Sequence, residues 1–287
     1  AKVEIFPQAK YNILTNLLVS QRGSFRLYLK DPVSKQVEMN KNLFVLTLLL
    51  TIILLVASCS PEQKIILRVG TDAENPPFTY LENSEFKGID IDICEKIADK
   101  MGMQLQITQY EFDDLFSALA QNKIDLAAST ITITEKRKQT FEFSEPYFQT
   151  NLAVVARKAS PIEINKIEDI GKYRVGCQSS TTSYQYLKEN LVDKDLLPKE
   201  KLKTYSTLIE TIGELLNKKI DLMVFDEWVA KKVSEQVDIK IVYIIPTNEQ
   251  YGLAMRPGKE INLRINKALK ELKDSGELQR IINEYIK

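Results

Sequence analysis

From Ile65 onward, short apolar stretches alternate with segments whose apolar residues recur at helical spacing, and this alternation limits what the chain can fold into. Ile65 to Gly70 reads as a strand that stops at Thr71-Asp72, and Asn75-Pro76-Pro77 has loop chemistry. After Gly88, Asp90 is placed to cap a helix on which Ile91, Cys94, Ile97, Ala98 and Met101 share a face, closed by Gly102. Leu105 to Thr108 reads as a strand, Phe112 to Gln121 as a helix and Ile124 to Ala128 as a third strand. Strands and helices in this order predict an α/β fold, with a parallel sheet joined by crossover helices.

A second unit repeats the pattern. Tyr173 to Cys177 is strand-like and leads through Gln178-Ser179-Ser180 into a helix from about Thr181 to Leu191. A helix over Thr207 to Asn217, a strand over Asp221 to Phe225 and a helix over Glu227 to Glu235 follow. Ile241 to Ile245 and Gly252 to Arg256 read as strands. Two helices, Asn262 to Asp274 and Glu277 to Ile286, end the chain and are separated by Ser275-Gly276. Two α/β units with their ligand ends facing each other make a cleft, where small-molecule sites form.

Upstream, the apolar run Leu43 to Ala57 closes on Val56-Ala57-Ser58-Cys59 and follows a charged lead, Met39-Asn40-Lys41-Asn42. The run is short of the ~20 apolar residues that span a bilayer, and small residues before a cysteine have the form of a bacterial lipoprotein signal. The expectation is a signal peptide over 39–58, cleaved so that Cys59 carries lipid, and a polar tether over 59–64. Residues 1–38, which show no clear periodicity, read as an upstream extension, with Met39 the true start. The folded part then works in the periplasm or at the cell surface, held to the membrane by its lipid. The competing reading is a plain signal-anchor helix with an incidental cysteine.

Composition excludes several functions. The chain holds no histidine, which removes Ser-His-Asp and Cys-His catalysis and the usual zinc sites. It shows neither a phosphate-binding glycine loop nor a dinucleotide fingerprint, so no metal and no cofactor is expected. Of 39 basic and 39 acidic residues, seven bases and three acids lie in residues 1–58, so from Cys59 on 32 bases face 36 acids. That balance leaves no footprint for nucleic acid. Roughly 230 residues suffice for a good core. Cys94 and Cys177 fall in a helix-like and a strand-like segment, and nothing in the sequence supports a disulfide between them.

The motifs Val69-Gly70-Thr71-Asp72 with Pro77-Phe78, Gly88-Ile89-Asp90-Ile91-Asp92, Lys123-Ile124-Asp125 and Thr132-Ile133-Thr134-Glu135-Lys136-Arg137 occur in that order. Phe143-Ser144-Glu145-Pro146-Tyr147, Val175-Gly176, and Ile220-Asp221 with Phe225-Asp226 follow. In this series the chain resembles the extracytoplasmic solute-binding proteins, family 3, that deliver polar amino acids to ABC transporters. The resemblance covers about Leu67 to the C-terminus. It implies a two-lobe periplasmic-binding-protein-like fold (type II), each lobe a sheet flanked by helices, with two hinge crossings. Residues 65–151 and 248–287 would form the first lobe, which the terminal helices rejoin, and 152–247 the second. It also implies a monomer whose partners are an amino acid, the permease subunits and, through the lipid, the membrane.

The residues suit such a ligand on their own chemistry. A carboxylate wants a guanidinium plus neutral donors, and Arg137 stands close in sequence to Thr130 and Thr132. The turn Gln178 to Ser180 and the helix opening at Thr181-Thr182 add oriented N–H groups. An ammonium wants an acceptor, and Asp226 ends a strand that faces the cleft. The resemblance assigns the carboxylate clamp to Arg137, Thr130, Thr132 and Thr181, and the ammonium to Asp226. It assigns the side chain to Asp72 and an apolar wall to Phe112. Arg137 would otherwise pair with Glu135 or Glu142, Asp226 would cap the following helix, and Phe112 would be core. Asp90 and Asp125 read as structural, and Trp228 as packing. Where many relatives carry an aromatic, this chain has Asn75 after Glu74. With Asp72 and Glu74 near the side-chain end, arginine or lysine is favoured, and glutamine or another polar amino acid is the alternative. An enzyme on the same scaffold, a prephenate- or arogenate-type dehydratase or a cell-wall lyase, would need a cleft carboxylate for acid/base work, and Glu74 is the spare one. A receptor sensor domain would need a further helix and a cytoplasmic domain beyond Lys287.

Overall fold

The computed structural model describes residues 43–49 and 65–286. The chain divides between Glu62 and Gln63. In the first part the described residues form a helical stretch with Leu43, Phe44 and Leu46 exposed. No helix among the described residues is long and apolar enough to cross a membrane. The expected upstream extension, cleavage site, lipidated Cys59 and tether lie outside the described residues.

In the second part, β1 (Ile66–Thr71) is the hub of the first sheet. It pairs in parallel with β5 (Gln104–Gln109) on one side and β6 (Leu126–Ala127) on the other. β13 (Ala254–Met255) joins β6 antiparallel, and β7 (Glu142–Phe143) closes the order β5-β1-β6-β13-β7. A small sheet of β2 (Glu74–Asn75), β3 (Thr79–Glu82) and β4 (Glu85–Lys87) intervenes in the chain. In that stretch the sequence showed only the loop chemistry of Asn75-Pro76-Pro77. Two- to four-residue strands are too short for their alternation to show.

The second sheet repeats the hub. β9 (Val175–Gln178) lies between the parallel strands β10 (Leu202–Tyr205) and β11 (Leu222–Asp226). Two long antiparallel strands, β8 (Phe148–Arg157) and β12 (Ile239–Tyr251), complete the order β10-β9-β11-β8-β12. β8 and β12 run on past this sheet towards the first, and their register breaks between Ile245 and Glu249. Beyond the break Tyr147 N donates to Tyr251 O and Thr132 bridges to Tyr251, so the crossing is tied to the first sheet. Phe78, Phe148 and Tyr251 pack ring to ring there, with centroids 4.9–6.0 Å apart, and Trp228 stands 6.1 Å from Phe148.

The two halves carry the same brace. Asn122-Lys123-Ile124-Asp125-Leu126 and Lys218-Lys219-Ile220-Asp221-Leu222 both enter a strand beside the hub. Arg68, near the start of β1, holds Asp125 with Nε and Nη2 at 2.9 and 2.6 Å and caps Asn122 O with Nη1. Arg174, just before β9, holds Asp221 at 2.9 and 2.7 Å and caps Lys218 O. Planar guanidinium against carboxylate is the pairing that fixes one strand end relative to another.

Helices pack on these sheets as their patterns require. In the first lobe α1 (Ile89–Met101) buries Ile89, Ile93, Cys94 and Ile97 on a core shared with Leu67, Val69 and Leu126. α2 (Phe112–Ala120) covers Leu115, Leu119 and Ile124, and the one-turn α3 (Glu135–Lys138) carries Arg137. The terminal helices α7 (Glu260–Asp274) and α8 (Glu277–Tyr285) place Ile265, Leu269 and Ile281 on α1, where Tyr285 Oη donates to Asp92. In the second lobe α4 (Thr182–Leu187), α5 (Leu208–Leu216) and α6 (Glu227–Ser234) flank the sheet. Cys94 and Cys177 are both buried free thiols.

One expected cap differs. Gly88, not Asp90, holds the N-cap position of α1, with φ 121° and a Cβ site only 2.2 Å from Phe78 O. Only glycine fits there. Asp90 sits inside the first turn and turns inward instead.

Candidate ligand cleft

The residues expected to hold a ligand emerge at the carboxyl ends of β1, β6, β9 and β11, around the two hubs, which is where open α/β sheets bind. Nine of them line one cavity: Asn75, Phe112, Thr130, Thr132 and Arg137 on one side, and Gln178, Thr181, Thr182 and Asp226 on the other. The cavity is tight, about 20 Å³, which is room for about one water. Anything much larger than water therefore enters only when the lobes part. A wider groove of about 450 Å³ adjoins it, lined by Phe116, Phe141, Tyr184 and Ser180 among others.

Arg137 is delivered by local sequence. Thr134 caps α3, accepting Arg137 N with its side chain at 3.1 Å, so the guanidinium swings back toward Thr132. Its Nη1 donates to Thr132 O at 2.8 Å and its Nη2 crosses to Ser180 O at 3.2 Å. The guanidinium lies over the Phe116 and Phe112 rings at 5.1 and 5.6 Å. It forms no ion pair among the described residues, and Lys138, not Arg137, takes Glu135. Burial pulls its pKa down to about 10 against the opposing charges of Glu249 and Asp226. A half-buried cation of this kind favours an anionic partner.

Asp226 occupies the N-cap position of α6 but makes no side-chain cap bond. Its Oδ1 is buried with no hydrogen-bond partner among the described residues. The Tyr251 hydroxyl is close enough to lower its pKa, yet that hydroxyl too lacks a bond of good geometry, so the oxygen counts as unsatisfied. Burial first, and then the charge of Glu249, push the Asp226 carboxyl up to about 7. An orphaned buried acceptor costs free energy until a donor meets it.

The far end is organised by Asp72. Ser129 Oγ donates to its Oδ1, and Asn75 Nδ2 reaches both oxygens at 2.9 and 2.8 Å. Asp72 thus stands behind Asn75 rather than among the lining residues. With its NH₂ held on the carboxylate, Asn75 must turn its Oδ1 away, as an acceptor. Burial raises the Asp72 carboxyl to about 6.

Thr130 is held in the left-handed region, at φ 49°, by Asp90, whose Oδ2 accepts Thr130 N at 2.8 Å and whose Oδ1 accepts Tyr147 Oη at 2.7 Å. Ala73 and Ser180 also have positive φ, so each of the three loops that enter the site carries a strained residue. Thr181 caps α4, accepting Tyr184 N at 3.3 Å and donating to Gln178 O at 2.8 Å.

Besides Asp72, two more placements differ from the expected set. Ser180 offers its backbone to Arg137 and its side of the wider groove, outside the small cavity. Glu74 leaves the cavity altogether: its Oε2 accepts the backbone N–H of Leu208 and Ile209, at the start of α5. Glu249 was not foreseen. Its Oε2 accepts the hydroxyls of Thr132 and Thr182 at 2.7 and 2.8 Å. It lies in β12 just past the register break, in a stretch the sequence showed only as a connection. Among the described residues no group of three or more Cys, Asp or Glu is placed to hold a metal.

The Arginine-binding extracellular protein ArtP of Bacillus subtilis (strain 168) is 28% identical over 232 residues, 79% of this chain and 87% of that protein. A solved structure of an ancestral arginine-binding protein bound to arginine superposes with a TM-score of 0.72 at 36% identity, covering 79% of this chain and 100% of the other. A second, titled as an ancestral arginine-binding protein bound to glutamine, gives 0.72 at 34%, covering 78% and 99%. The sequence profile of one family matches residues 67–287, nearly all of the two-lobed part, and the chain belongs to the bacterial extracellular solute-binding proteins, family 3.

Proposed function

We propose that this protein captures a polar amino acid, with arginine or lysine favoured, by closing its two lobes, and hands it to the permease of an ABC transporter. The observation that carries the reading is the pairing of two incomplete charges in one cavity. Arg137 from the first lobe is a half-buried cation without an ion pair among the described residues, and Asp226 from the second is a carboxylate with a buried, orphaned oxygen. An α-carboxylate and an α-ammonium complete both at once. The N-terminus of α4 adds neutral donors for the carboxylate, and Phe112 supplies a flat wall. The relatives named as arginine-binding proteins support the same ligand class.

The side chain of the ligand then points to Asn75. Its outward Oδ1 accepts from a guanidinium, an ammonium or an amide, and the Asp72 charge behind it favours the cations. Work outside the cytoplasm, as a monomer anchored through lipid on Cys59, completes the proposal, on the strength of the motif at residues 56–59. A thermal-shift screen of the twenty amino acids, followed by competition titration of arginine, lysine, glutamine and glutamate, tests it. Arginine or lysine should bind most tightly, and Asp72→Asn should erase that lead over glutamine. No stabilisation by any amino acid would overturn the function. Glutamate binding best would overturn the assignment of the side-chain end. Intact mass of membrane-extracted protein tests the anchor: a retained segment before Cys59, or an unmodified Cys59, removes it.

A further inference from the structure

We propose that Glu74 and Glu249 are positioning residues that latch the cleft shut from two places on its rim. Each lies beside the ligand cavity but spends its carboxylate on donors of the protein. Glu74 leaves β2 of the first lobe and reaches α5 of the second, accepting Leu208 N at 2.8 Å and Ile209 N at 3.4 Å. The α5 cap, Thr207, already accepts Glu210 N at 3.0 Å, so Glu74 takes the first-turn donors that the cap leaves over. The helix dipole adds to the attraction for a negative charge there. Glu249, in the crossing strand β12, draws Thr132 of the first lobe and Thr182 of the second onto one oxygen. Both threonines line the cavity, and Arg137 feels the Glu249 charge.

Opening the lobes would separate Glu74 from α5 and break at least one of the two Glu249 bonds. Neither group needs a ligand atom to make its bonds. They therefore stabilise the closed form by the same amount whatever side chain is captured. This rests on the proposed capture of an amino acid by lobe closure. It assigns Glu74 to the closing motion instead of to the side-chain pocket.

The experiment uses the variants Glu74→Ala, Glu249→Ala and their double, with Glu74→Gln and Glu249→Gln as rescues, and with arginine, lysine and glutamine as probes. A hydrogen bond to a charged group supports roughly a tenfold change, so each alanine variant should weaken all three probes by about that factor, through faster dissociation. The order of the probes should stay as in the parent protein. The glutamine variants keep an acceptor oxygen and should recover most of the loss, which a general folding defect would not allow. A changed order of probes would place the residue on the ligand and overturn the latch, as would unchanged dissociation. Small-angle scattering gives a readout without any amino acid: the double alanine variant should be more extended than the parent. An equal radius of gyration overturns the latch even if the parent binds none of the probes, the result that would sink the proposed function instead.

Discussion

Asp226 holds the N-cap position of α6 yet leaves its side chain off the helix, with Oδ1 unbonded and within electrostatic reach of Arg137 and Glu249. Removing either charge of this pair should cost about 3–5 kcal/mol of binding, because the ligand group left behind is desolvated without a partner. Calorimetric titration of Asp226→Ala and Arg137→Ala, each checked for cooperative unfolding, reads that loss. The sign of the pH effect follows from the raised carboxyl. An ammonium binds the ionised form, so affinity should fall as pH drops through about 7, by up to about tenfold per pH unit. Asp226→Asn should bind weakly at every pH and lose the slope. Asp90 acts on stability rather than binding. Burial lifts its pKa from 3.8 to about 7, so the native state holds a proton that the unfolded chain has released. That contribution is complete below about 4 and is lost as pH rises through about 7. Asp90→Asn keeps an acceptor for Thr130 N, so its melting temperature relative to the parent should be higher at pH 8 than at pH 5. Asp226 was legible in sequence because a strand end followed by a helix start shows in the pattern. The missing cap bond was not, since it depends on where Tyr251 and Arg137 arrive from elsewhere.

At the scale of elements, helix ends do two jobs. Thr181 caps α4 and also lines the cavity, so the bond that starts the helix also shapes the cavity wall. Thr181→Ala should therefore cost about 1 kcal/mol of stability in chemical denaturation as well as affinity, whereas Thr181→Ser keeps the cap oxygen and most of both. Gly88→Ala should be worse, at about 2 kcal/mol or more, because a Cβ meets Phe78 O at 2.2 Å and φ is 121°. α5, β11 and the terminal helices were readable because each is long enough for its period, with Thr207 and Gly276 marking ends. β2 and β7 are two-residue strands that pairing defines and sequence cannot. β8 and the full length of β12 were missed for another reason. They pass from buried sheet to crossing within one strand, so no single alternation holds along them.

For the whole molecule, closure ties ligand binding to stability. A ligand that meets both lobes binds the native state alone and raises its unfolding free energy, by about 2.7 kcal/mol at one hundred times Kd. For a unit of this size that is about 5–10 °C in Tm, measurable by calorimetry with saturating arginine. The matching braces Arg68–Asp125 and Arg174–Asp221 pin the amino ends of corresponding strands in the two lobes. Each fixes a hub strand against its neighbour, so Asp72, Thr130, Gln178 and Asp226, at or just past the carboxyl ends of those strands, lie on the side of the cleft.

What the sequence determined by itself is local: the strand–helix alternation, most helix ends, the absence of histidine chemistry, and the residue types around Arg137 and Asp226 that suit a zwitterion. These follow from periodicity and side-chain chemistry within a few residues. Tertiary structure alone decided which acids face the cavity. Glu74 and Asn75 are neighbours in sequence, yet one caps a helix 134 positions away and the other lines the cavity. Glu249 meets Thr132 and Thr182 across separations of 117 and 67 residues. Such partners are set by how the lobes close, and the free energy of burying a charge is settled only when its final neighbours are in place.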